Sequence, residues 1–212
     1  MKKFALISLR NDLILDRDER RDSIDIEIYN LVLELGYIPI LLPNEPRIID
    51  YFELIFKEKN IGLVLLSGGN DINKFKDYKN SNSYLKRDET ELNLINYCIE
   101  KSVPILSICR GFQLITTYLG GNIEKIEGHI NIKHKVSLID LKEDIKVNSF
   151  HSFALKEQNL PKTIKPFALH KIDNTIEGFT TKEPFKSINI MWHPERANGS
   201  REKTIKLIKS FI

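Results

Sequence analysis

Four short apolar runs punctuate the first half of the chain: Phe4 to Leu9, Tyr37 to Leu42, Ile61 to Leu66 and Val103 to Ile108. Each ends in a turn signal, and continuous apolar runs of this length suit strands buried on both faces. The stretches between them carry a different period. Ser23 to Leu35 places Ile24, Ile28, Leu31, Val32 and Leu35 at helical spacing, and Gly36 stops it. Ile48 to Lys59 and Asp88 to Lys101 read the same way. The alternation predicts an α/β fold with a mostly parallel central sheet, flavodoxin-like, and helices on both faces. In such sheets ligands bind beyond the carboxyl ends of the strands.

The second half adds short strand candidates: Asn122 to Ile126, Lys135 to Leu141, Ile164 to Leu169, Thr175 to Thr180 and Ser187 to Trp192. A terminal helix is expected from about Ser200 to Phe211. Lys74 to Lys86 is polar and reads as an exposed loop. With no internal repeat and no low-complexity linker, the 212 residues are expected to form one domain, 1–212.

Charge and composition narrow the classes. The 32 Lys and Arg are interleaved with 29 Asp and Glu, so no basic face argues for nucleic acid. A phosphorylated small molecule is compatible with the net charge of +3. The apolar start breaks at Arg10-Asn11-Asp12, and no run approaches the roughly 20 residues that span a bilayer. A cytoplasmic location is expected. The two cysteines, Cys98 and Cys109, are too few for a disulfide framework and lack metal-site spacing.

The fourth strand runs into Ser107-Ile108-Cys109-Arg110-Gly111, a small-x-Cys-x-Gly turn before a helix. A nucleophile elbow needs small residues on both sides of the nucleophile. It also places the sulfur at a helix N-terminus, which favours thiolate. Free cysteines are more often core residues. Cys98, in mid-helix, fits that description; Cys109 fits it less well.

His193-Pro194-Glu195 follows the last strand candidate. A histidine there can reach the elbow, and the carboxylate two residues on can take its ring N–H. A lone histidine is usually structural; the elbow and His-Pro-Glu together point to a triad. Ser67-Gly68-Gly69-Asn70-Asp71 follows the third strand. Its paired glycines read either as a plain tight turn or as a close backbone approach to substrate. In the second reading the N–H of Gly69 and that of Arg110 form an oxyanion hole, each such donor contributing roughly 3 kcal/mol.

These residues together resemble the class I glutamine amidotransferase-like superfamily, over most of the chain. One branch, the gamma-glutamyl hydrolases, is similar in Ser67-Gly68-Gly69-Asn70-Asp71-Ile72, in Arg87-Asp88-Glu89-Thr90-Glu91, in Pro104 to Gln113 and in Val147-Asn148-Ser149-Phe150-His151. The resemblance implies a Cys-His-Glu triad of Cys109, His193 and Glu195. It also implies that Gly68 and Gln113 hold the glutamyl group. Ser152 and Phe153 would contact the amino-acid end of the substrate, and Arg87 and Asp88 would pair as scaffold. Three positions depart from the family pattern: Ser107 for the usual Gly, Ile190-Met191 for Val-Gln, and Ser152-Phe153 for His-Gln after His151.

The implied reaction is attack of Cys109 on a gamma-glutamyl amide, a glutamyl thioester, and hydrolysis to glutamate without metal or organic cofactor. The expected partner is a small-molecule gamma-glutamyl amide. The chain also resembles the small standalone hydrolases of bacterial capsule phosphoramidate synthesis, which implies a gamma-glutamyl-CDP-amidate substrate. Arg17, Arg20 and Arg21 after the first strand are candidates for a diphosphate. Their alternative, and favoured, reading is a salt-bridged helix start on a solvated face. Lys74, Lys76 and Lys79 form a second candidate group. A glutaminase subunit that passes ammonia to a partner synthetase would use the same triad and is the competing function.

Overall fold

The structure, a computed structural model, describes residues 3–55, 60–77, 84–196 and 200–212. Strand β1 (Phe4–Ser8) leads into an antiparallel hairpin of β2 (Arg10–Ile14) and β3 (Glu19–Ser23), and then helix α1 (Ile26–Glu34). The alternation continues with β4 (Ile38–Leu42), α2 (Ile48–Ile55), β5 (Ile61–Leu66), α3 (Leu85–Lys101), β6 (Ile105–Ile108) and α4 (Arg110–Tyr118). The second half holds β7 (Ile123–Lys125), β8 (Ile130–Leu138), β9 (Glu143–Phe150) and β10 (Phe153–Leu155). After these come β11 (Lys165–His170), β12 (Ile176–Thr181), β13 (Ser187–Ile190) and α5 (Arg201–Phe211).

β4, β1, β5, β6 and β13 lie side by side in that order and all run parallel. From β13 the same sheet continues antiparallel through β12, β11, β8 and β9, with β10 attached to β12 and β7 to β10. The second-half strands therefore extend the parallel core. All six residues of β5 are buried. Leu63 and Leu65 pack on one face with Ile28 and Leu31 of α1 and Ile205 and Ile208 of α5. Val64 and Leu66 pack on the other with Leu94 and Ile95 of α3 and Phe112 and Ile115 of α4. Each such side chain contributes roughly 1.5–3 kcal/mol. No helix among the described residues is long and apolar enough to cross a membrane.

The helices sit close to where the apolar period places them. α1 starts late because Asp25 caps it, accepting the Glu27 N–H at 3.0 Å. α2 covers the start of the helix expected over 48–59; residues 56–59 lie outside the described residues. Four strands have no counterpart in the sequence reading: β2, β3, β9 and the three-residue β10. β9 is half-buried: Ile145 and Val147 point inward while Asp144 and Lys146 are exposed, so it shows alternation and no continuous apolar run. The segment around Arg17–Arg21, expected to begin a helix, is the hairpin β2–β3. Its pairing rests on polar contacts: Ser23 donates to Asp12, and Asn11 donates to Asp22 at 2.9 Å. Asp22 also accepts from the Asn44 amide and side chain at 2.8 and 2.6 Å, which ties the hairpin to the segment after β4.

β6 and β13, the strands that end at the candidate site, are locked by a buried polar pair. Ser107 faces Asn189 across their register, and its hydroxyl donates to Asn189 Oδ1 at 2.6 Å. Both are fully buried. Ser107→Ala removes that donor from a buried acceptor. It is expected to lower stability by about 1–3 kcal/mol, read as a lower urea midpoint at unchanged circular dichroism.

Candidate active site

β6 ends at Ile108 and α4 begins at Arg110, so Cys109 alone makes the turn. Its φ of 50 and ψ of −97 lie where non-glycine residues are rarely found. The Cys109 amide is held by Ile190 O at 2.8 Å and its carbonyl by the Gln113 amide at 3.1 Å. The turn brings α4 hard against β5: a Cβ on Gly111 would lie 2.5 Å from Leu66 O, so this position admits only glycine. Ser107 is accommodated because its hydroxyl is spent on Asn189. Cys98 is fully buried in α3, and burial pushes its thiol up.

His193 lies just past β13. Asn148 of β9 grips its backbone twice, donating to His193 O at 3.0 Å and accepting from His193 N at 2.8 Å. Trp192 anchors the same segment to α5 through Thr204 at 3.3 Å. Glu195 takes His193 Nδ1 at 2.6 Å. That leaves Nε2 for the Cys109 sulfur, to which the ring is hydrogen-bonded. Burial opposes charge on the ring, but the sulfur and the Glu195 carboxylate outweigh it and push His193 up to about 9. Gly68 permits the approach: a Cβ there would lie 3.0 Å from the ring.

The loop after β5 supplies a backbone donor. The guanidinium of Arg87 donates to the carbonyls of Ser67, Gly68 and Gly69 at 2.8, 3.0 and 2.9 Å. A planar trans peptide points its N–H opposite its carbonyl. Holding Gly68 O on the Arg87 side therefore turns the Gly69 N–H away from it. Gly69 has a φ of +78, which glycine adopts freely. The Arg110 amide opens α4, where first-turn N–H groups lack intrahelical acceptors.

Behind both donors lies a buried ionic network. Arg87 Nε donates to Glu91 at 3.0 Å, and the Arg110 guanidinium binds Glu91 and Asp88. Ser8 donates to Glu91 at 2.7 Å. Burial opposes the charge on Glu91, but Arg110 and Arg87 hold its carboxyl below the usual range. Burial lowers Arg87 to about 10. The expected Arg87–Asp88 pair is thus corrected: on a helix, adjacent residues face apart while residues four apart share a face.

A cleft of ≈ 380 Å³ joins these parts. Cys109, His193, Glu195, Gly68, Gly69 and Arg110 all line it, as do Gln113, Ser152 and Phe153. The sequence candidates Arg17, Arg20 and Arg21 do not. Arg20 bonds Asn11 at 2.8 Å and lies over the Tyr84 ring, and Arg21 pairs with Glu19 at 2.8 Å on the surface. Arg17 sits in the hairpin turn. The apolar-run reading missed the hairpin and so misplaced their side chains. Besides Arg110, whose guanidinium is tied to Glu91 and Asp88, the cations that line the cleft are Arg10, against Gly69, and Arg196, over the Phe150 ring. Each follows a motif the sequence reading used: Arg10 comes after β1 and Arg196 after Glu195. Lys74 bonds Asn122 at 2.9 Å, and neither it nor Lys76 lines the cleft. Lys79 lies outside the described residues.

Residues 11–143 and 127–195 match the model of the Peptidase C26 family. The chain belongs to that family. This Peptidase C26 chain is 37% identical over 198 residues to the gamma-glutamyl-CDP-amidate hydrolase of Campylobacter jejuni, covering 92% of the chain and 90% of the relative. Its fold matches PurLQS from Thermotoga maritima, with a TM-score of 0.67 at 18% identity over 99% of this chain and 97% of that one. It also matches a glutamine amidotransferase from Thermotoga maritima, with a TM-score of 0.64 at 16% identity over 99% and 84%.

The His193 contacts set a pH dependence. Raised from 6.5 to about 9, His193 contributes stability that is complete below 6.5 and lost as pH rises through about 9. Cys109→Ala removes the sulfur and is expected to move the His193 titration downward and flatten that loss. Histidine NMR of the two proteins, with thermal melts between pH 6 and 10, reads both effects.

Proposed function

We propose that this Peptidase C26 protein hydrolyses a gamma-glutamyl amide through Cys109, and that its leaving group is a nucleotide phosphoramidate. The carrying observation is the convergence of Cys109, His193 and Glu195 with the Gly69 and Arg110 amides in one cleft. A nucleophile, a base with its orienter, and two backbone donors are the parts that acyl transfer requires.

His193, hydrogen-bonded to the Cys109 sulfur, holds the thiol proton as the sulfur attacks. The sulfur attacks the side-chain carbonyl carbon of the glutamyl amide. The Gly69 and Arg110 N–H groups hold the oxygen as it gains charge. His193 then gives its proton to the leaving nitrogen, the carbon–nitrogen bond breaks, and a glutamyl thioester remains on Cys109. Water, deprotonated by His193, attacks the thioester; the sulfur leaves and glutamate is released. Glu195 keeps the imidazolium oriented throughout. Gln113, one turn beyond the nucleophile, is placed to hold the glutamyl group.

The leaving group rests on two supports. One is the 37% identity to the gamma-glutamyl-CDP-amidate hydrolase over nearly the whole length of both chains. The other is the pair of guanidinium groups at the cleft, Arg10 and Arg196, which suit phosphate oxygens. Arg10 also pairs with Asp12 at 2.7 Å and Arg196 with Asp25 at 3.5 Å, so a diphosphate would compete with carboxylates already at the rim.

Glutamate release from glutamine, gamma-glutamyl-aminobutyrate, gamma-glutamyl peptides and gamma-glutamyl-CDP-amidate tests the reading. The CDP-amidate should be the best substrate, and Cys109→Ala should cost at least about 1,000-fold in turnover. Arg10→Ala and Arg196→Ala should each raise KM for the CDP-amidate about tenfold, the worth of one charge-assisted contact, and leave KM for glutamine nearly unchanged. Preferred turnover of glutamine would overturn the leaving-group assignment. Equal effects of the arginine changes on both substrates would remove those residues from phosphate binding.

A further inference from the structure

Four histidines and a carboxylate meet in the antiparallel half of the sheet, and the triad uses none of them. His129 precedes β8, His134 lies within it, His151 joins β9 to β10, and Glu177 lies on β12. His170, at the end of β11, stacks against the group at 4.4 Å from the His134 ring. Glu177 is fully buried, and none of the four histidines is more than 6% exposed.

The Glu177 carboxylate lies at the centre. His151 Nε2 is 3.3 Å and His129 Nδ1 3.6 Å from its Oε1, and His134 Nε2 is 3.4 Å from its Oε2. Among the described residues, none of these five atoms has a hydrogen-bond partner. Buried polar groups are almost always satisfied, so five orphans converging on one point need a cause. The far side of two rings is satisfied. His129 Nε2 meets Asp173 at 2.8 Å, and His151 Nδ1 meets Phe153 O at 3.0 Å. With the N–H on the far nitrogens, the arrangement those contacts permit, the lone pairs of His129 Nδ1 and His151 Nε2 are turned toward Glu177. Lone pairs then face a carboxylate, which is repulsive unless a cation stands between them.

The spacing identifies the cation. Zinc ligands lie about 2.0–2.2 Å from the metal, so the edges of a tetrahedral nitrogen–oxygen site measure about 3.3–3.6 Å. The two separations that meet at Glu177 Oε1, 3.3 Å from His151 and 3.6 Å from His129, fall on that edge length and are too long for good hydrogen bonds. Imidazole with one carboxylate is a ligand set that zinc takes. An outer carboxylate or carbonyl on the far nitrogen is the usual support of a metal-bound histidine. We propose that His129 Nδ1, His151 Nε2 and Glu177 Oε1 bind a zinc ion, with Asp173 orienting His129 from behind and His134 facing the second Glu177 oxygen. His170 also contacts Asp173, at 2.7 Å, and so belongs to that support. The ion would tie β8, β12 and the β9–β10 connection together. It would thereby fix the Ser152 and Phe153 wall of the cleft without touching the reacting atoms.

The test uses the full chain carrying Cys109→Ala, so that the thiol cannot take the metal. The protein is stripped with a chelator, then titrated with Zn²⁺ by calorimetry and with Co²⁺ by absorption. The expected result is one ion per chain, a raised melting temperature, and the visible bands of tetrahedral cobalt without thiolate charge transfer. His151→Ala and Glu177→Gln should each weaken zinc binding at least about 100-fold. Absence of stoichiometric binding, an octahedral cobalt spectrum, or affinity unchanged in both variants overturns the site. If either variant fails to fold, the cobalt spectrum of the intact cluster decides the question alone.

Discussion

The candidate site depends on one buried carboxylate with two guanidinium groups closed on it. Glu91 binds Arg87 through one oxygen and Arg110 through the other. Arg87 in turn sets the peptide planes after β5, and Arg110 carries the amide that begins α4. Both backbone donors of the proposed oxyanion hole are therefore indexed to the same side chain. Burying such charges is costly, and well-packed apolar residues would be as stable or more so. Their presence is better explained by geometry. Three carbonyls must be turned to one side for one amide to face the other, and a guanidinium with five donors does this from a single residue.

A second constraint acts from the opposite side of the cleft. Cys109 sits in strained backbone, which persists only where its surroundings over-determine it. The Ile190 carbonyl and the packing of Gly111 on Leu66 supply that determination from β13 and β5. His193 is fixed in the same manner, by Asn148 from β9 and by Trp192 on α5. The proposed nucleophile is thus set by the parallel core and the proposed base by the antiparallel extension. Their meeting depends on β13, which belongs to both.

The parallel core was legible because its strands read as unbroken apolar runs; β1, β5, β6 and β13 are buried nearly throughout, while β4, at the sheet edge, is equally apolar but exposes Ile38 and Leu41. The elbow was legible because a turn this tight admits few residue types. β9 was not, since a strand with one solvated face shows only alternation, and the β2–β3 hairpin is held by Asp12 and Asp22 with no apolar signal. That omission carried over to the cations: a helix start would have turned Arg17, Arg20 and Arg21 toward solvent or substrate, whereas the hairpin directs Arg20 to Asn11 and Tyr84. Arg10 and Arg196 could be found only once the hairpin and the His193 segment had been placed. The role of Asn148 was equally hidden, because its partner lies 45 residues away.

The antiparallel extension therefore bears more than added strands. Through Asn148 it holds His193, and through the histidine cluster it holds the residue that precedes the Ser152–Phe153 wall of the cleft. These two duties are mechanically separate. Asn148 grips the His193 backbone from within β9, whereas His151 lies beyond the end of that strand and contacts Glu177 on β12. Glu177 still touches the catalytic strand through its backbone, its carbonyl accepting the Met191 amide at 2.8 Å. A change in the Ser152–Phe153 wall can thus reshape the cleft while Cys109, His193 and Glu195 stay put. This is the arrangement expected of a fold on which a site is held by the scaffold while the walls around it vary.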